Sequence, residues 1–403
     1  MLIVKKFGGT SVANKDRINN VARRCVEEYK KGNDVIVVLS AMGDTTDDLL
    51  ALAAQISDKP SKRELDMLLS TGEQVSVALA AMAVENLGVP AISLNAFQVA
   101  MHTTSRNSNA RLKTIDKERI KKELANKKIV FVTGFQGVNK YDDVTTLGRG
   151  GSDTTAVAIA AALNADACEI YTDVDGVYTA DPRIIPNAKK LEEITYDEML
   201  DLATLGAQVL HNRSVGLAKK YDVPLVVRSS LTDAEGTVVK GEYTVEKRLI
   251  SGVAVDKHPA RIALMGVPDE PGIAFKIFNI LANDGISVDI ILQSVGRNGT
   301  KDISFTVDEN DLQEALDVLE ANSKKLPTDH IETEEDIAKV SIVGAGMMTD
   351  PGVAAKMFGA LYDNSINIKM ISTSENRITV IVDEDDAQVA ARAVHNAFIP
   401  END

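Results

Sequence analysis

Over roughly the first 230 residues, short apolar runs alternate with longer stretches whose apolar positions recur at helical spacing. LIVKKF, DVIVVLSA, PAISL, KIVFVTGF, ACEIYTD and VPLVVRSS are the short runs, rich in Val and Ile, and read as strands. KDRINNVARRCVEEYKKG is periodic and stops at Gly32 and Asn33, and SKRELDMLLSTGEQVSVALAAMAVENLG reads as a second helix stopping at Gly88. Strands of this composition alternating with helices predict an α/β fold with a mainly parallel sheet covered on both faces. Ligands of such sheets bind where strands end and loops gather.

The C-terminal part repeats itself. PDEPGIAFKIFNILANDGISVDIILQS, from Pro268, and MTDPGVAAKMFGALYDNSINIKMISTS, from Met348, superpose with a shift of 80 residues. The shift matches Pro271 with Pro351, Gly272 with Gly352, Lys276 with Lys356 and Phe278 with Phe358. Each copy continues into an alternating strand, DISFTVD or NRITVIVD, and then an acidic helix start. The order predicts two ferredoxin-like βαββαβ units. VGAGMM, residues 343–348, lacks the third glycine of a dinucleotide fingerprint, with Thr349 in its place, and reads as the turn of the repeat.

At 403 residues the chain is long enough for two or three domains, and 44% apolar content suits a folded protein. The 59 acidic against 44 basic residues give a net charge of −15. That disfavours nucleic acid as a partner and leaves any phosphate ligand to a few local positive groups. Cys25 and Cys168 stand far apart without a CxxC or a histidine cluster, so neither a disulfide framework nor a metal site is assigned. MLIVKKFGG is too short for a signal-peptide core, and no apolar stretch is read as membrane-spanning. A cytoplasmic protein away from the membrane is the expectation.

Three loops carry candidate chemistry. LGRGGSDTT, residues 147–155, sets three glycines and one arginine before AVAIAAALNA, which reads as helix. Glycines admit a ligand close to the backbone, and a helix N-terminus offers free N–H groups and partial positive charge, so an anion site is one reading. The other is a plain helix cap by Ser152 or Asp153. KKFGGTS, Lys5–Ser11, ends a strand with a lysine before two glycines, the reverse of the P-loop order, and could equally be a simple turn. YTDVDGVYTADPR, Tyr171–Arg183, suits a ribose or a metal, or an ordinary Asp-Gly turn. Glu73 in STGEQVS and Arg111 in TTSRNSNAR, taken singly, read as solvated charges.

KFGGTSV, VLSAMGDTTDDLL, STGEQ, GFQGVN, LGRGGSDTT and YTDVDGVYTADPR occur in this order, followed by RSSLTDAEGT and the two Pro-Gly repeats. In this the chain resembles the monofunctional aspartate kinases of the amino-acid-kinase superfamily, with two C-terminal ACT regulatory domains. The resemblance covers essentially the whole chain. It implies a three-layer αβα amino-acid-kinase domain over 1–245, a first ACT domain over 262–334 and a second over 335–403, completed by a strand at 249–256. It also implies transfer of the γ-phosphoryl group of ATP, with Mg2+, to the side-chain carboxylate of L-aspartate, the first step of lysine, threonine and methionine biosynthesis.

By resemblance, Lys6 and Asp153 are catalytic. Lys6, Phe7, Gly8, Gly9, Ser40, Thr172, Asp173, Tyr178, Thr179, Ala180, Asp181, Pro182, Arg183 and Val209 receive ATP. Gln208 joins them where the family often carries a lysine. Thr46, Glu73, Arg111, Arg149, Gly150, Gly151, Ser152 and Asp153 hold aspartate, with Glu73 on its ammonium group and Arg111 on its α-carboxylate. Asp269, Gly272, Ala274 and Gln293 of one repeat, facing Asn367 and Ile368 of the other, bind lysine and/or threonine. A homo-oligomer, dimer or tetramer, forms through the ACT domains. Two alternatives remain: an amino-acid kinase with another acceptor, and a non-catalytic amino-acid sensor.

Overall fold

All six Val- and Ile-rich runs become strands, and they lie side by side. The computed structural model describes residues 1–207, 209–242, 249–296, 299–345, 347 and 350–400. The first half runs β1 (Leu2–Phe7), α1 (Lys15–Lys30), β2 (Asp34–Leu39), α2 (Thr45–Ile56), α3 (Lys62–Leu69), α4 (Thr71–Asn86), β3 (Ala91–Leu94), β4 (His102–Thr103), β5 (Leu112–Thr114) and α5 (Glu118–Ala125). It continues with β6 (Ile129–Thr133), β7 (Gln136–Val138), β8 (Val144–Thr146), α6 (Gly151–Leu163), β9 (Ala167–Thr172), β10 (Glu193–Thr195), α7 (Tyr196–Thr204), α8 (Asn212–Tyr221), β11 (Leu225–Ser229) and β12 (Thr237–Lys240).

The main sheet has the order β10-β12-β11-β9-β1-β2-β6-β3. From β11 to β3 every pairing is parallel; only β12 on β11 is antiparallel. Phe7, Val35, Val37, Leu39, Ile129 and Phe131 pack on one face against Val21, Ala22 and Cys25 of α1 and Val77 and Val84 of α4. The other face is covered by α6, lying on β1, β2 and β9. Apolar residues on both faces of the same strands make this burial possible. A small second sheet, β5-β4-β7-β8, uses strands of two or three residues, too short to announce themselves by alternation.

Strand alternation gives the two adjacent lysines of β1 opposite fates. Lys5 faces α1, 2% exposed, where its Nζ meets Glu169 at 2.5 Å and Glu28 at 3.4 Å. Lys6 faces α6 and the loop before it.

Two helix readings are corrected. The stretch 62–88 is not one helix: it breaks at Ser70, whose hydroxyl turns back to donate to the Met67 carbonyl and whose own carbonyl accepts from the Gln136 amide at 2.9 Å. Lys62–Asn86 taken together is long and apolar enough to cross a membrane, contrary to the sequence reading, but half of its most apolar window is buried inside the protein. Helix α6 starts earlier than AVAIAAALNA, at Gly151, with left-handed Gly150 (φ 65°) in the cap position. Ser152 and Asp153 therefore lie within the first turn and are not its caps.

By contacts the chain divides into two units. One comprises Met1–Thr179, Lys189–Thr204 and Gln208–Lys247; the other comprises Ala180–Ala188, Leu205–Ala207 and Arg248–Asp403. The second unit holds β13 (Gly252–Asp256), β14 (Pro259–Pro268), α9 (Ile273–Asn283), β15 (Ile291–Gln293), β16 (Thr300–Asp308), α10 (Leu312–Ala321) and β17 (His330–Glu334). Then follow β18 (Ile337–Val343), α11 (Val353–Asp363), β19 (Met370–Thr373), β20 (Arg377–Asp383) and α12 (Ala387–Phe398). The repeats give two four-stranded sheets, β15-β16-β14-β17 and β13-β18-β20-β19. The edge strand of the second comes from β13, ahead of the first repeat, and pairs antiparallel with β18. Each sheet buries its own core, one around Leu264, Ile277 and Phe305, the other around Ile342, Met357 and Val380. Buried Lys339 of β18 joins the repeats, with its Nζ 2.7 Å from Asp289 and 3.4 Å from Asp256.

Candidate active site

The glycine loop and the end of β1 meet. Lys6 Nζ lies 2.6 Å from Asp153 Oδ1, with both side chains about nine-tenths buried. Asp153 sits in the first turn of α6, where the helix N-terminus favours negative charge. Next to it, Ser40, just after β2, donates from its Oγ to Ser152 Oγ at 3.0 Å. The backbone crosses tightly here: a Cβ on Gly9 would stand 2.9 Å from the Ala41 carbonyl oxygen, so only glycine fits. Phe7 does not present its ring to this site; the ring is fully buried and stacks on Tyr171 with centroids 4.4 Å apart. The Phe7 carbonyl accepts the Ser40 N–H, and the Gly8 N–H donates to the Tyr171 carbonyl.

Glu73, in the first turn of α4, points at the loop that follows β2. Its Oε1 accepts from the Ala41 N–H at 3.2 Å, while Oε2 is buried without a hydrogen-bond partner. Burial pushes its carboxyl up to about 7, against the opposing pull of the Glu73 and Ala41 N–H groups. A half-satisfied buried carboxylate is an open acceptor for a cation. Thr46 is half-buried in the first turn of α2.

Arginines gather around the glycine loop. Arg111 and Arg149 are both exposed. Two further residues that sequence reasoning missed stand among them. Arg213, on α8, donates from Nη1 to the Leu147 carbonyl at 2.8 Å and from Nη2 to the Ala110 carbonyl at 2.6 Å, bracing both arginine-bearing loops. Burial and then the neighbouring Arg111 charge hold its guanidinium below the ordinary value. His211 caps α8 by accepting the Arg213 N–H on Nδ1, and its ring fills the space where a Gly150 side chain would be. Burial chiefly, with Arg213 and Arg149, lowers its pKa against the pull of Asp153, so the ring stays a neutral acceptor. Neither residue belongs to a glycine motif; the one signal was their place in HNRSV, directly after the segment holding Gln208.

The third loop is less unified. Thr172 donates to the exposed Asp173 at 2.9 Å, and Tyr178 donates to Asp175 at 2.8 Å. Thr179 is fully buried and bound to Lys189 through backbone and hydroxyl. Ala180 belongs to the core of the C-terminal unit, so its side chain is consumed by packing. Asp181 accepts from the Arg183 guanidinium at 2.7 Å, which holds its carboxyl below the usual range, and Pro182 is exposed. Val209 is half-buried; Gln208 lies outside the described residues.

In the first repeat, Asp269 is exposed but paired with Lys301 at 3.0 Å. Gly272 holds the left-handed cap of α9 (φ 92°), Ala274 is half-buried in its first turn, and Gln293 is exposed on β15. In the second repeat, Asn367 is exposed and Ile368 packs against the core.

Comparison with known proteins identifies the family. Residues 1–229 match the amino acid kinase family, and residues 261–323 and 340–398 each match the ACT domain. The chain is 52% identical over 398 residues to an aspartokinase of Bacillus sp. (strain MGA3), covering 98% of this chain and 97% of that one. It superposes on E. coli aspartokinase III in complex with aspartate and ADP (R-state) with a TM-score of 0.86 and 28% identity, covering 98% and 99% of the two chains. Against the same enzyme in complex with lysine and aspartate (T-state) the TM-score is 0.75 at 27% identity, covering 99% of each chain. The chain therefore belongs to the aspartokinases, within the amino acid kinase family.

Proposed function

We propose that this protein transfers the γ-phosphoryl group of ATP to the side-chain carboxylate of L-aspartate, giving 4-phospho-L-aspartate and ADP. The observation that carries the reading is the Lys6–Asp153 pair at the mouth of α6, with Glu73 bonded to the loop that follows β2. An aspartate side chain with pKa near ~4 is already ionised, so no general base is required. Its oxygen attacks the γ-phosphorus, the bond to the β–γ bridging oxygen breaks, and that electron pair leaves on ADP. The barrier is the meeting of two anions, so positive charge and N–H groups must do the work.

Lys6, oriented by Asp153, neutralises the phosphoryl group in flight, and the N–H groups of Gly150 and Ser152 support it, that of Gly151 being already bonded to the Gly148 carbonyl. Glu73 takes the substrate ammonium group. Arg111 and Arg149 take the α-carboxylate, and Thr46 is a further substrate contact. Gly8, Gly9 and Ser40 line the phosphate path, and Thr172, Asp173, Tyr178, Asp181, Pro182, Arg183 and Val209 receive the nucleotide, Thr179 and Ala180 through backbone only. Among the described residues no three His, Cys, Asp or Glu side chains cluster, which fits a Mg2+ held mainly by phosphate oxygens with Asp153 as its protein carboxylate. Bound there, the ion would neutralise charge on the phosphates.

The domain limits 1–245, 262–334 and 335–403 follow the same reading. ADP release measured with aspartate, glutamate and acetylglutamate as acceptors tests it; turnover confined to aspartate is expected, and preference for another acceptor overturns it. Arg111→Lys should raise the aspartate KM about tenfold although the charge is kept, because the planar two-donor fork is lost. If only the ATP KM moves, Arg111 serves the nucleotide.

The ACT repeats make feedback inhibition by lysine, threonine or both the expected regulation of a dimer or tetramer. Free N–H groups at the Gly272 cap would take an effector carboxylate, and Asp269 and Gln293 its ammonium group, in competition with Lys301. Asp269→Ala or Gln293→Ala should raise the inhibitory concentration about tenfold and leave uninhibited turnover intact. Unchanged inhibition removes both residues from the effector site.

A further inference from the structure

Asp66, on α3, is a completely buried carboxylate, and among the described residues no Lys, Arg or His pairs with it. Its charge is met by donors from two loops instead. Its Oδ2 accepts from Asn107 Nδ2 at 2.8 Å, and both oxygens accept the Ser108 N–H at 3.0 and 3.1 Å. Its Oδ1 also accepts from Thr146 Oγ1 at 2.7 Å. Ser108 holds a left-handed backbone (φ 64°), which a non-glycine residue keeps only when its surroundings impose it. The neck of the same loop is closed by Thr104 and Arg111: the Arg111 N–H donates to Thr104 Oγ1, and the Thr104 N–H donates to the Arg111 carbonyl. Thr146 ends β8 and leads directly into LGRGG.

One carboxylate thus ties the loop that carries Arg111 to the loop that carries Arg149. Arg213 ties the same two loops through their carbonyls, so a buried anion collects the donors and a buried cation collects the acceptors. We propose that Asp66 is a positioning residue for the phosphoryl acceptor, setting Arg111 and Arg149 at the spacing that grips the α-carboxylate. The proposal rests on the reading of those two arginines as aspartate contacts. Asp66 touches no substrate; it acts only through the loops.

The test is steady-state kinetics on the full chain, parent beside Asp66→Asn and the reciprocal swap Asp66→Asn with Asn107→Asp. In Asp66→Asn an amide N–H confronts the Ser108 and Asn107 donors, and the loop shifts. The aspartate KM should rise about tenfold, while the ATP KM is unchanged and kcat at saturating aspartate stays within about threefold. In the swap the amide introduced at position 66 donates to the carboxylate introduced at position 107, and the KM should return most of the way to the parent value. A merely structural role would lower the active fraction, hence kcat, and leave the aspartate KM alone; that outcome, or a swap that restores nothing, overturns the proposal. If Asp66→Asn does not fold, Asn107→Ala carries the test alone, with a two- to threefold rise in aspartate KM expected and no rise overturning it. A parent enzyme that does not use aspartate would instead refute the function itself.

Discussion

Lys6→Ala should lower kcat about a thousandfold and change the aspartate KM only a few fold. The Lys6 charge is needed most when the phosphoryl group is between its two oxygens, so its loss appears in turnover. The substitution also leaves the buried Asp153 carboxylate, now without its 2.6 Å partner, at the mouth of α6. The helix N-terminus offsets part of that charge, and a second change, Asp153→Asn, should recover stability without recovering activity. The double variant should be no faster than Lys6→Ala alone, since Asp153 also serves as the protein carboxylate for Mg2+. Near-normal turnover in Lys6→Ala, measured by coupled ADP release, would remove Lys6 from the phosphoryl path.

Glu73→Gln should raise the aspartate KM about a hundredfold and at the same time stabilise the unliganded protein. The Glu73 carboxyl is pushed from 4.5 up to about 7 by burial. Between those values the folded protein holds a proton that the unfolded chain has released, so stability falls as pH rises through the window. Above pH 7 the whole penalty is present, roughly 3 kcal/mol for a shift of that size. Gln removes it, so the thermal midpoint at pH 8 should rise by a few degrees, with little difference near pH 4. The same titration predicts that kcat/KM for aspartate climbs with pH and levels off near 7, because the ionised form receives the ammonium group. Glu73→Gln should lose that limb. A variant that keeps it, or a parent profile flat from pH 5.5 to 8, separates Glu73 from aspartate binding.

The sheet was legible because its strands are buried on both faces and therefore read as continuous Val and Ile runs bounded by turns. The repeats were legible because α9 and α11 keep the same Pro-Gly entrance and the same spacing of core residues. The start of α6 was misjudged because glycine and serine have weak helix propensity, and tertiary contacts override it: Gly151 packs where a Cβ would meet Phe135 at 2.9 Å. The break at Ser70 depends on Gln136, 66 residues away, and so leaves no local trace. Asp66, His211 and Arg213 escaped for the same reason. Each acts on loops distant in sequence, Asp66 and Arg213 through hydrogen bonds and His211 by packing against Gly150. Segment 180–188 is a further case: its Ala180 and Ile185 look like ordinary loop residues, yet they fill the core of the C-terminal unit.

The central claim is that a side-chain carboxylate, gripped by Glu73 on one side and the arginines on the other, receives the phosphoryl group held by Lys6. Trapping the product with hydroxylamine in the presence of ATP, Mg2+ and aspartate tests it most directly, because an acyl phosphate is converted to a hydroxamate at the carboxyl that was phosphorylated. The account predicts the side-chain hydroxamate of aspartate, formed in a one-to-one ratio with ADP and lost in Lys6→Ala. ADP without hydroxamate, or hydroxamate at the α-carboxyl, would contradict it.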